Sequence, residues 1–316
     1  MQSSPSVSFV IFTYNSSDLI SKCLEHLNNS FNYLEIACEV ILVDNNSTDD
    51  TVKIVKEFSV NYNFPVKILI NEKQGLIFSR IKAAKVVKNE YTCFIDDDNF
   101  VTIDWVATLI QIINNKEPDV IGCSTKAITD GKFPEWFEKY QDYYACGKRF
   151  PNSEFINHPL KKFWGAGLTI KTEYLKKALL NTRFLCSGRI GGKLLSGEDA
   201  EINYRLRLIG ATFFNANELQ LYHFIRPHRL KKEYLNKLKI GNGYAGVSLD
   251  IYRYLLTNKF YYKLLIWPFV LLLFSPFLSL KYRINYFPFA LMRFKEIDKR
   301  IELQKIIKSN FIDRIT

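Results

Sequence analysis

The chain has 316 residues, 47% of them hydrophobic, which is enough for one large domain with an appendage. Its six cysteines contain no Cys-x-x-Cys pair, which argues against a zinc site or a disulfide scaffold and is typical of a reducing compartment. The net charge of +11 lies in the C-terminal part: residues 223–316 contain 18 Lys and Arg against 6 Asp and Glu, whereas residues 1–222 contain 25 against 26. Such a basic tail is typical of contact with an anionic membrane or with nucleic acid.

Short apolar runs alternate with segments of helical periodicity from the N-terminus onward. The runs predict four buried strands, at Val7–Phe12, Glu39–Val43, Val66–Ile70 and Tyr91–Ile95. Between them, apolar residues at helical spacing predict three helices, over Leu19–Leu27, Val52–Phe58 and Gly75–Val87. Continuous apolar strands that alternate with helices are typical of a parallel sheet with helices on both faces. We therefore predict an α/β fold.

The pattern continues less regularly in the second half. It predicts a helix over Trp105–Ile113, a strand at Val120–Ser124, a strand with two glycines at Phe163–Ile170, a helix that follows Asp199 and ends at Gly210, and short strands at Ala211–Phe214 and Gln220–His223. Residues 130–160, rich in Pro, Gly, Tyr and Trp, have no clear period. We interpret them as a long, partly ordered loop around a site or as packing.

Three polar loops follow the predicted parallel strands: Thr13–Asn15, Asp44–Asn46 and Asp96–Asn99. Ligands of such sheets bind beyond the carboxyl ends of the strands, so these loops are expected to share one site. Three adjacent carboxylates at the end of an apolar strand repel one another, and a divalent cation would offset that repulsion. Mg²⁺ and Mn²⁺ prefer such oxygen ligands and leave positions for phosphate oxygens. The alternative is an acidic turn on a solvated surface.

Four motifs stand in the order and spacing of one family. They are Phe9–Asn15, Val43–Thr51, Phe94–Asp98 and Gly197–Glu201, with Trp164–Gly167 in addition. In these motifs the chain resembles family 2 glycosyltransferases over about residues 5–230. The resemblance implies a GT-A fold, a Rossmann-like and mostly parallel sheet, as a domain over residues 1–230. It also implies transfer of a sugar from a nucleotide-diphosphate sugar with inversion at the anomeric carbon.

The resemblance also implies a role for each matched residue. It assigns the donor to Thr13, Tyr14, Asn15, Asp44, Asn46, Arg80, Asp96 and Asp97, with the nucleoside against the first four of these. Asp96 and Asp98 would ligate Mn²⁺ or Mg²⁺, and His223 would be a third metal ligand. Asp199 would be the catalytic base. Trp164, Gly165, Ala166 and Glu198 would bind the substrate. One departure is Ile81, which stands after Arg80 where the family often has Asn, and this weakens the expected contact of Arg80 with the nucleotide.

Each of these assignments has a plainer interpretation. Asp199 at a helix start is also the ordinary place for an acid near a positive helix end, and Glu198 or Glu201 could equally serve as base. Asp44 could be a helix cap, and His223 a core or surface histidine. Trp164 could stack on a sugar or simply pack.

The C-terminal region, residues 231–316, is predicted to be a basic helical appendage. Leu264–Leu280 carries no charge over 17 residues, and a straight membrane-spanning helix needs roughly 20. Pro268 and Pro276 would break it, and basic residues flank both of its ends. We therefore favour a re-entrant or interfacial segment with both ends cytosolic over a buried helix pair or a single span.

Together these observations predict an inverting, metal-dependent, hexosyltransferase-type enzyme on the cytoplasmic face of the cell membrane. It would transfer a sugar to a lipid-linked or glycan acceptor in cell-surface polysaccharide or glycolipid biosynthesis, and it would not bind nucleic acid. A processive polymer synthase is disfavoured because the chain lacks the Gln-x-x-Arg-Trp signature and multiple spans. The alternative from another class is a non-catalytic nucleotide- or nucleic-acid-binding protein that uses the basic tail.

Overall fold

A computed structural model describes residues 5–31, 37–62, 64–180, 184–186, 188, 196–257, 270 and 273–282. Its strands are β1 Val7–Thr13, β2 Cys38–Asp44, β3 Val66–Ile70, β4 Tyr91–Asp96, β5 Asn99–Val101, β6 Val120–Ile128, β7 Glu154–Phe155, β8 Thr169–Lys171 and β9 Phe213–Phe224. Its helices are α1 Ile20–Ser30, α2 Thr51–Asn61, α3 Leu76–Val86, α4 Trp105–Lys116, α5 Phe137–Tyr140, α6 Thr172–Leu180, α7 Glu198–Leu208, α8 Lys232–Ser248, α9 Asp250–Thr257 and α10 Ser275–Tyr282.

One mixed sheet forms the centre, with the strand order β3-β2-β1-β4-β8-β6-β9-β5 and with β7 paired to β9. Strands β3, β2, β1 and β4 are mutually parallel, as the sequence predicts. β8 runs antiparallel to both β4 and β6, and β9 is parallel to β6 but antiparallel to β5. The α/β prediction is confirmed, with a sheet that is parallel in its first half and mixed in its second.

Successive side chains of each strand point to opposite faces of the sheet, and helices cover both faces. In β1, Phe9 and Ile11 face a core built with α1, α2 and α4, whereas Val10 and Phe12 face a core built with α3, α6 and α7. All of these strand residues are almost completely buried. Burial on both faces explains why the strands are continuously apolar in sequence.

Two predicted elements differ from the structure. The strand predicted at Phe163–Ile170 is wrong over most of its length, since only β8 forms a ladder. Gly167 has φ +68°, a left-handed conformation that an extended strand does not adopt, so the chain turns there. The backbone also packs closely at this turn, since an added Cβ would lie 2.7 Å from Trp105. The two short strands predicted after Gly210 are instead the single strand β9, whose register with β6 shifts between Ala216 and Gln220.

The C-terminal region begins with two helices that pack on the domain. One buried apolar cluster includes Leu235 and Leu238 of α8. Another includes Leu249, which immediately precedes α9, and Tyr252 of α9. The boundary predicted at residue 230 stays a prediction.

Only part of the uncharged run at 264–280 lies among the described residues: residue 270 and residues 273–280. There, α10 starts at Ser275 with a proline in its first turn, where the missing N–H costs nothing. Leu273, Phe274 and Phe277 are exposed at 58–78%. Among the described residues, no helix combines the length and the apolar character needed to cross a bilayer.

Candidate functional site

A cleft of about 580 Å³ opens at the carboxyl ends of β1 and β4. The predicted loops meet there: Thr13 Oγ1 donates a hydrogen bond to Asp97 Oδ2 at 2.8 Å, and the backbone N–H of Tyr14 donates to the same oxygen at 3.2 Å. The N–H of Asn45 donates to the carbonyl of Thr13 at 2.9 Å. The sheet edge therefore joins three loops that are far apart in sequence, as parallel strand ends require.

The three carboxylates of the acidic motif face different partners. Asp96 ends β4, and Asp98 precedes β5, a strand that sequence analysis did not predict. Burial raises the pKa of Asp96 to about 6, opposed by the nearby Arg80 guanidinium. Burial, together with the charge of Asp98, raises the pKa of Asp97 to about 7. Crowded acids of this kind are typical of a site that receives a positive group.

Asp98, only 5% exposed, is surrounded by cationic side chains. Its Oδ1 lies 3.4 Å from His223 Nε2, and its Oδ2 accepts a hydrogen bond from Arg229 Nη1 at 2.9 Å. The pairing of β5 with β9 places His223 opposite Asn99, which brings the imidazole beside the acid. Burial lowers the pKa of His223, but the Asp98 carboxylate outweighs that effect and raises it to about 10.

The fit of a divalent cation can be judged from these donors. Carboxylate oxygens of Asp96 and Asp98 with an imidazole nitrogen of His223 form a donor set that suits Mn²⁺, and all three side chains line the cleft. In the part of the chain that the structure describes, no group of three or more His, Cys, Asp or Glu side chains is placed so that it could hold a metal ion. Arg229 already balances Asp98, so a metal ion and this guanidinium would compete for the same carboxylate.

Asp199 lies in the first turn of α7 and lines the same cleft. Its Oδ1 is ion-paired with Arg80 Nη1, and its Oδ2 accepts a hydrogen bond from the N–H of Gly165 at 3.1 Å. Arg80 is 1% exposed, whereas the side chain of Asp199 is 34% exposed. Arg80 and Gly165 thus fix the orientation of the Asp199 carboxylate, and part of this side chain remains exposed in the cleft.

Glu198 and Glu201, the alternatives to Asp199, have different surroundings. Glu198 lines the cleft, with Oε1 4.0 Å from Arg80 Nη1. Glu201 is completely buried on the other side of α7, where it accepts hydrogen bonds from Arg205 at 2.9 Å, from the Tyr252 hydroxyl at 2.7 Å and from two backbone N–H groups. It holds α9 against α7 and is not in the cleft lining formed by the described residues.

The residues predicted to hold the nucleoside are divided. Thr13 and Tyr14 line the cleft, whereas Asn15, Asp44 and Asn46 lie just outside its lining. Asn15 Oδ1 accepts a hydrogen bond from the N–H of Thr48 at 2.8 Å. Asp44 is 1% exposed and its Oδ2 accepts one from Ser47 at 3.0 Å. Its Oδ1 has no hydrogen-bond partner among the described residues.

The predicted substrate-binding segment, Trp164–Ala166, lines the same cleft. The guanidinium of Arg149 lies 5.2 Å from the Trp164 ring. An added Cβ on Gly165 would lie 2.5 Å from both Arg80 Nη2 and Asp199 Oδ1. This position therefore needs glycine, because the backbone approaches the ion pair closely.

Sequence analysis missed four arginines in the cleft lining, Arg149, Arg226, Arg229 and Arg253, and two of them make ion pairs or hydrogen bonds near the acidic motif. Arg226 is ion-paired with Asp18 at 2.7 Å, and its Nη2 also donates to Ser16 Oγ at 3.4 Å. Arg229 holds Asp98 as described. Both follow His223 in a short basic run, which was counted only as part of the charge of the tail. The signal was present, but a net charge does not say which arginines face a site.

The model of glycosyl transferase family 2 matches residues 8–176, more than half of the chain. Glycosyltransferase GlyG of Streptococcus pneumoniae is 29% identical over 189 residues, which is 58% of this chain and 60% of that protein. The glucosyl-dolichyl phosphate glucuronosyltransferase of Haloferax volcanii is 24% identical over 255 residues, 78% of this chain and 77% of that protein. The chain thus spans less than two thirds of the pneumococcal relative.

Two solved structures share the fold at low identity. Staphylococcus aureus TarS 1–349 in complex with UDP-GlcNAc matches with a TM-score of 0.56 and 18% identity, covering 77% of this chain and 66% of that one. The Pyrobaculum calidifontis mannosyltransferase PcManGT, in complex with GDP-Man and Mn²⁺, matches with a TM-score of 0.53 and 14% identity, covering 93% and 88%. The matched family model and the shared GT-A fold agree with the strand-end motifs, and the chain belongs to glycosyl transferase family 2.

Proposed function

We propose that the protein is an inverting glycosyltransferase that moves a hexose-type sugar from a nucleotide-diphosphate sugar to a hydroxyl of a glycan or lipid-linked acceptor. The observation that carries this proposal is the cleft itself. It brings the acidic motif at residues 96–98 and the carboxylate of Asp199, about a hundred residues apart in sequence, into the lining of one cavity. A diphosphate leaving group and a general base need such separate but adjacent places.

The nucleoside would lie over the loops after β1 and β2. Asp44 supports this, since a buried carboxylate oxygen without a partner among the described residues is ready to accept a hydrogen bond from a base or a ribose. Asn15 and Asn46 have positive φ values of 48° and 66°, so each loop forms a tight turn beside the proposed nucleoside position. Tyr14, 42% exposed, has a ring free to stack on a base.

The diphosphate would lie beside the acidic motif, where Arg226 and Arg229 also line the cleft. Mn²⁺ or Mg²⁺, held by Asp96, Asp98 and His223, would supply neutralisation of the negative charge that develops on the leaving group. The PcManGT complex contains Mn²⁺ with its donor, which supports this proposal by analogy. Arg229 supplies a positive charge at the same carboxylate in the structure described here.

Asp199 would act as the base. The acceptor hydroxyl gives its proton to this carboxylate while its oxygen forms a bond to the anomeric carbon from the side opposite the diphosphate. The bond from the anomeric carbon to the diphosphate oxygen breaks, and the nucleoside diphosphate leaves with that electron pair. Arg80 and the N–H of Gly165 fix the direction of the carboxylate, so the base is positioned before the acceptor arrives. Glu198 stays a second candidate because it also faces the cleft.

The acceptor would enter along Trp164, whose ring is suited to stack on a sugar. The Haloferax relative is named for a dolichyl phosphate substrate, which supports a lipid-linked acceptor. Exposed Leu273, Phe274 and Phe277 near α10 support docking on the cytoplasmic membrane face. The product would enter cell-surface polysaccharide or glycolipid biosynthesis.

A panel of nucleotide sugars tests the proposal. Incubation with each one, with and without Mn²⁺, should release nucleoside diphosphate from at least one donor, and the matching diphosphate should raise the melting temperature. The rival function, nucleic-acid binding by the basic tail, predicts instead a thermal shift with an oligonucleotide and none with any nucleotide sugar. That result would overturn the proposed function.

A further inference from the structure

The cleft has a second group of cations besides those that contact the acidic motif. Lys162 precedes the Trp164 segment, Arg149 lies between α5 and β7, and Arg253 is on α9; all three line the cleft. Arg149 is held by a hydrogen bond from its Nε to the carbonyl of Lys162 at 3.1 Å, which fixes these two residues side by side. α9 supplies the third because Tyr252 anchors that helix to the buried Glu201.

The acids near this group leave Lys162 without a direct partner. Arg149 pairs with the exposed Asp142, and Arg253 pairs with Asp250 at 2.7 Å. Within the described part of the chain, no carboxylate lies within ion-pair distance of Lys162 Nζ. The ammonium instead lies 5.9 Å from the centre of the Tyr204 ring. Among the described residues, this partly buried cation therefore lacks the paired counter-charge that such groups normally have.

The environment of Lys162 is electropositive. Burial, together with the charges of Arg253 and Arg149, lowers the pKa of Lys162 to about 8, and Asp142 and Asp199 oppose this shift. An anion bound between the three cations would relieve this repulsion. The position is near Asp199, whose hydrogen-bond donor Gly165 is three residues after Lys162, and Thr13 and Tyr14 of the predicted donor site line the same cleft.

We infer that Lys162, with Arg149 and Arg253, forms a subsite for an anionic group of the acceptor, a phosphate ester or a carboxylate. This inference rests on the proposed function, because it takes Asp199 to mark where the acceptor hydroxyl is held. It specifies the acceptor as an acidic glycan or a phosphate-linked sugar. It also gives part of the basic C-terminal region a role inside the catalytic cleft.

The test is calorimetric titration of the full chain, first with UDP and then, at saturating UDP, with glycerol 1-phosphate, glucuronate or glucose. Bound UDP fills the diphosphate place, so a second anion reports on the new subsite. At least one of the two anions should bind and glucose should not; the stronger of the two identifies phosphate or carboxylate. Lys162→Gln should weaken that binding by about tenfold, the scale of one hydrogen bond to a charged group. Lys162→Arg should retain it.

Lys161→Gln is the matched control, since Lys161 is the exposed neighbour outside the cleft lining. It removes the same charge and should leave both affinities unchanged. Binding of the anion should also weaken as the pH rises through about 8, because the Lys162 ammonium then loses its proton. Equal affinity in the wild type and Lys162→Gln, or no binding of either anion at saturating UDP, would overturn the inference. Failure of UDP to bind would count against the proposed nucleotide donor instead, and the comparison of anion affinity between the wild type, Lys162→Gln and Lys161→Gln would still decide the subsite.

Discussion

Replacing Asp199 by Asn keeps the shape of the side chain but removes its ability to take a proton. The proposed donor contacts involve other residues, on the loops after β1 and β2 and on the acidic motif, so binding of the nucleotide should change little. Transfer should fall by about 10²–10⁴, the usual share of general-base catalysis. That range corresponds to about 2.7–5.5 kcal/mol in the activation barrier.

The structure adds a second consequence, a loss of stability. Arg80 is 1% exposed and would lose its nearest carboxylate, leaving Glu198 at 4.0 Å. Breaking a fully buried pair costs about 3–5 kcal/mol. Because the Asp199 side chain is 34% exposed and a second acid remains, we expect about 2 kcal/mol. In a domain of this size, that lowers the melting temperature by about 4–8 °C.

The assay compares three properties of each variant at a temperature well below its melting point: UDP affinity, transfer rate and melting temperature. Glu198→Gln is the matched control, since it also faces Arg80 but at the longer distance. Glu201→Gln should lower stability with little effect on transfer, because Glu201 lies in the buried network with Arg205 and Tyr252. Normal transfer by Asp199→Asn with an inactive Glu198→Gln would show that Glu198 is the base. Normal transfer by both would refute the assignment.

Three further predictions concern other parts of the protein. Gly165→Ala should abolish transfer but not UDP binding, because the added Cβ would lie 2.5 Å from both charged groups of the buried pair; Gly131→Ala, with nothing within 4 Å, is its control, and equal activity of the two variants would contradict the close approach. Arg229→Gln should tighten Mn²⁺ binding by about tenfold in an electron paramagnetic resonance titration, because the competing hydrogen bond to the Asp98 carboxylate is removed; unchanged affinity would show that the ion does not use this carboxylate. The protein should sediment with membranes in high salt, since apolar insertion by 264–280 is not screened; recovery in the soluble fraction at low salt would contradict this.

The first half of the fold could be predicted because its signals are local. β1 to β4 are short runs of residues buried on both faces, and the polar residues that end them, such as Thr13 and Asp96, mark the sheet edge directly. The strand predicted at Phe163–Ile170 was wrong because its apolar residues serve a buried turn. Composition alone does not separate a buried turn from a buried strand.

Twelve of the fifteen predicted site residues line one cleft, but their pairings could not be predicted from the sequence. Asp199 and Glu201 are two positions apart, and sequence spacing did not show that they face opposite sides of α7. Arg80 was expected near the nucleotide by resemblance; the sequence did not indicate its ion pair with Asp199, 119 positions away in the chain. Arg253 reaches the cleft only because α9 packs on α7. Such contacts depend on tertiary packing, which the local pattern does not encode.

The central claim, inverting transfer with the acceptor and the leaving group on opposite sides of the anomeric carbon, is tested most directly by proton NMR of the first product. With an α-linked nucleotide sugar that the protein turns over, the signal of the β anomer should appear first, whether the sugar is transferred to an acceptor or to water. Initial appearance of the α anomer would contradict the account, since retention is incompatible with direct displacement assisted by Asp199 as base.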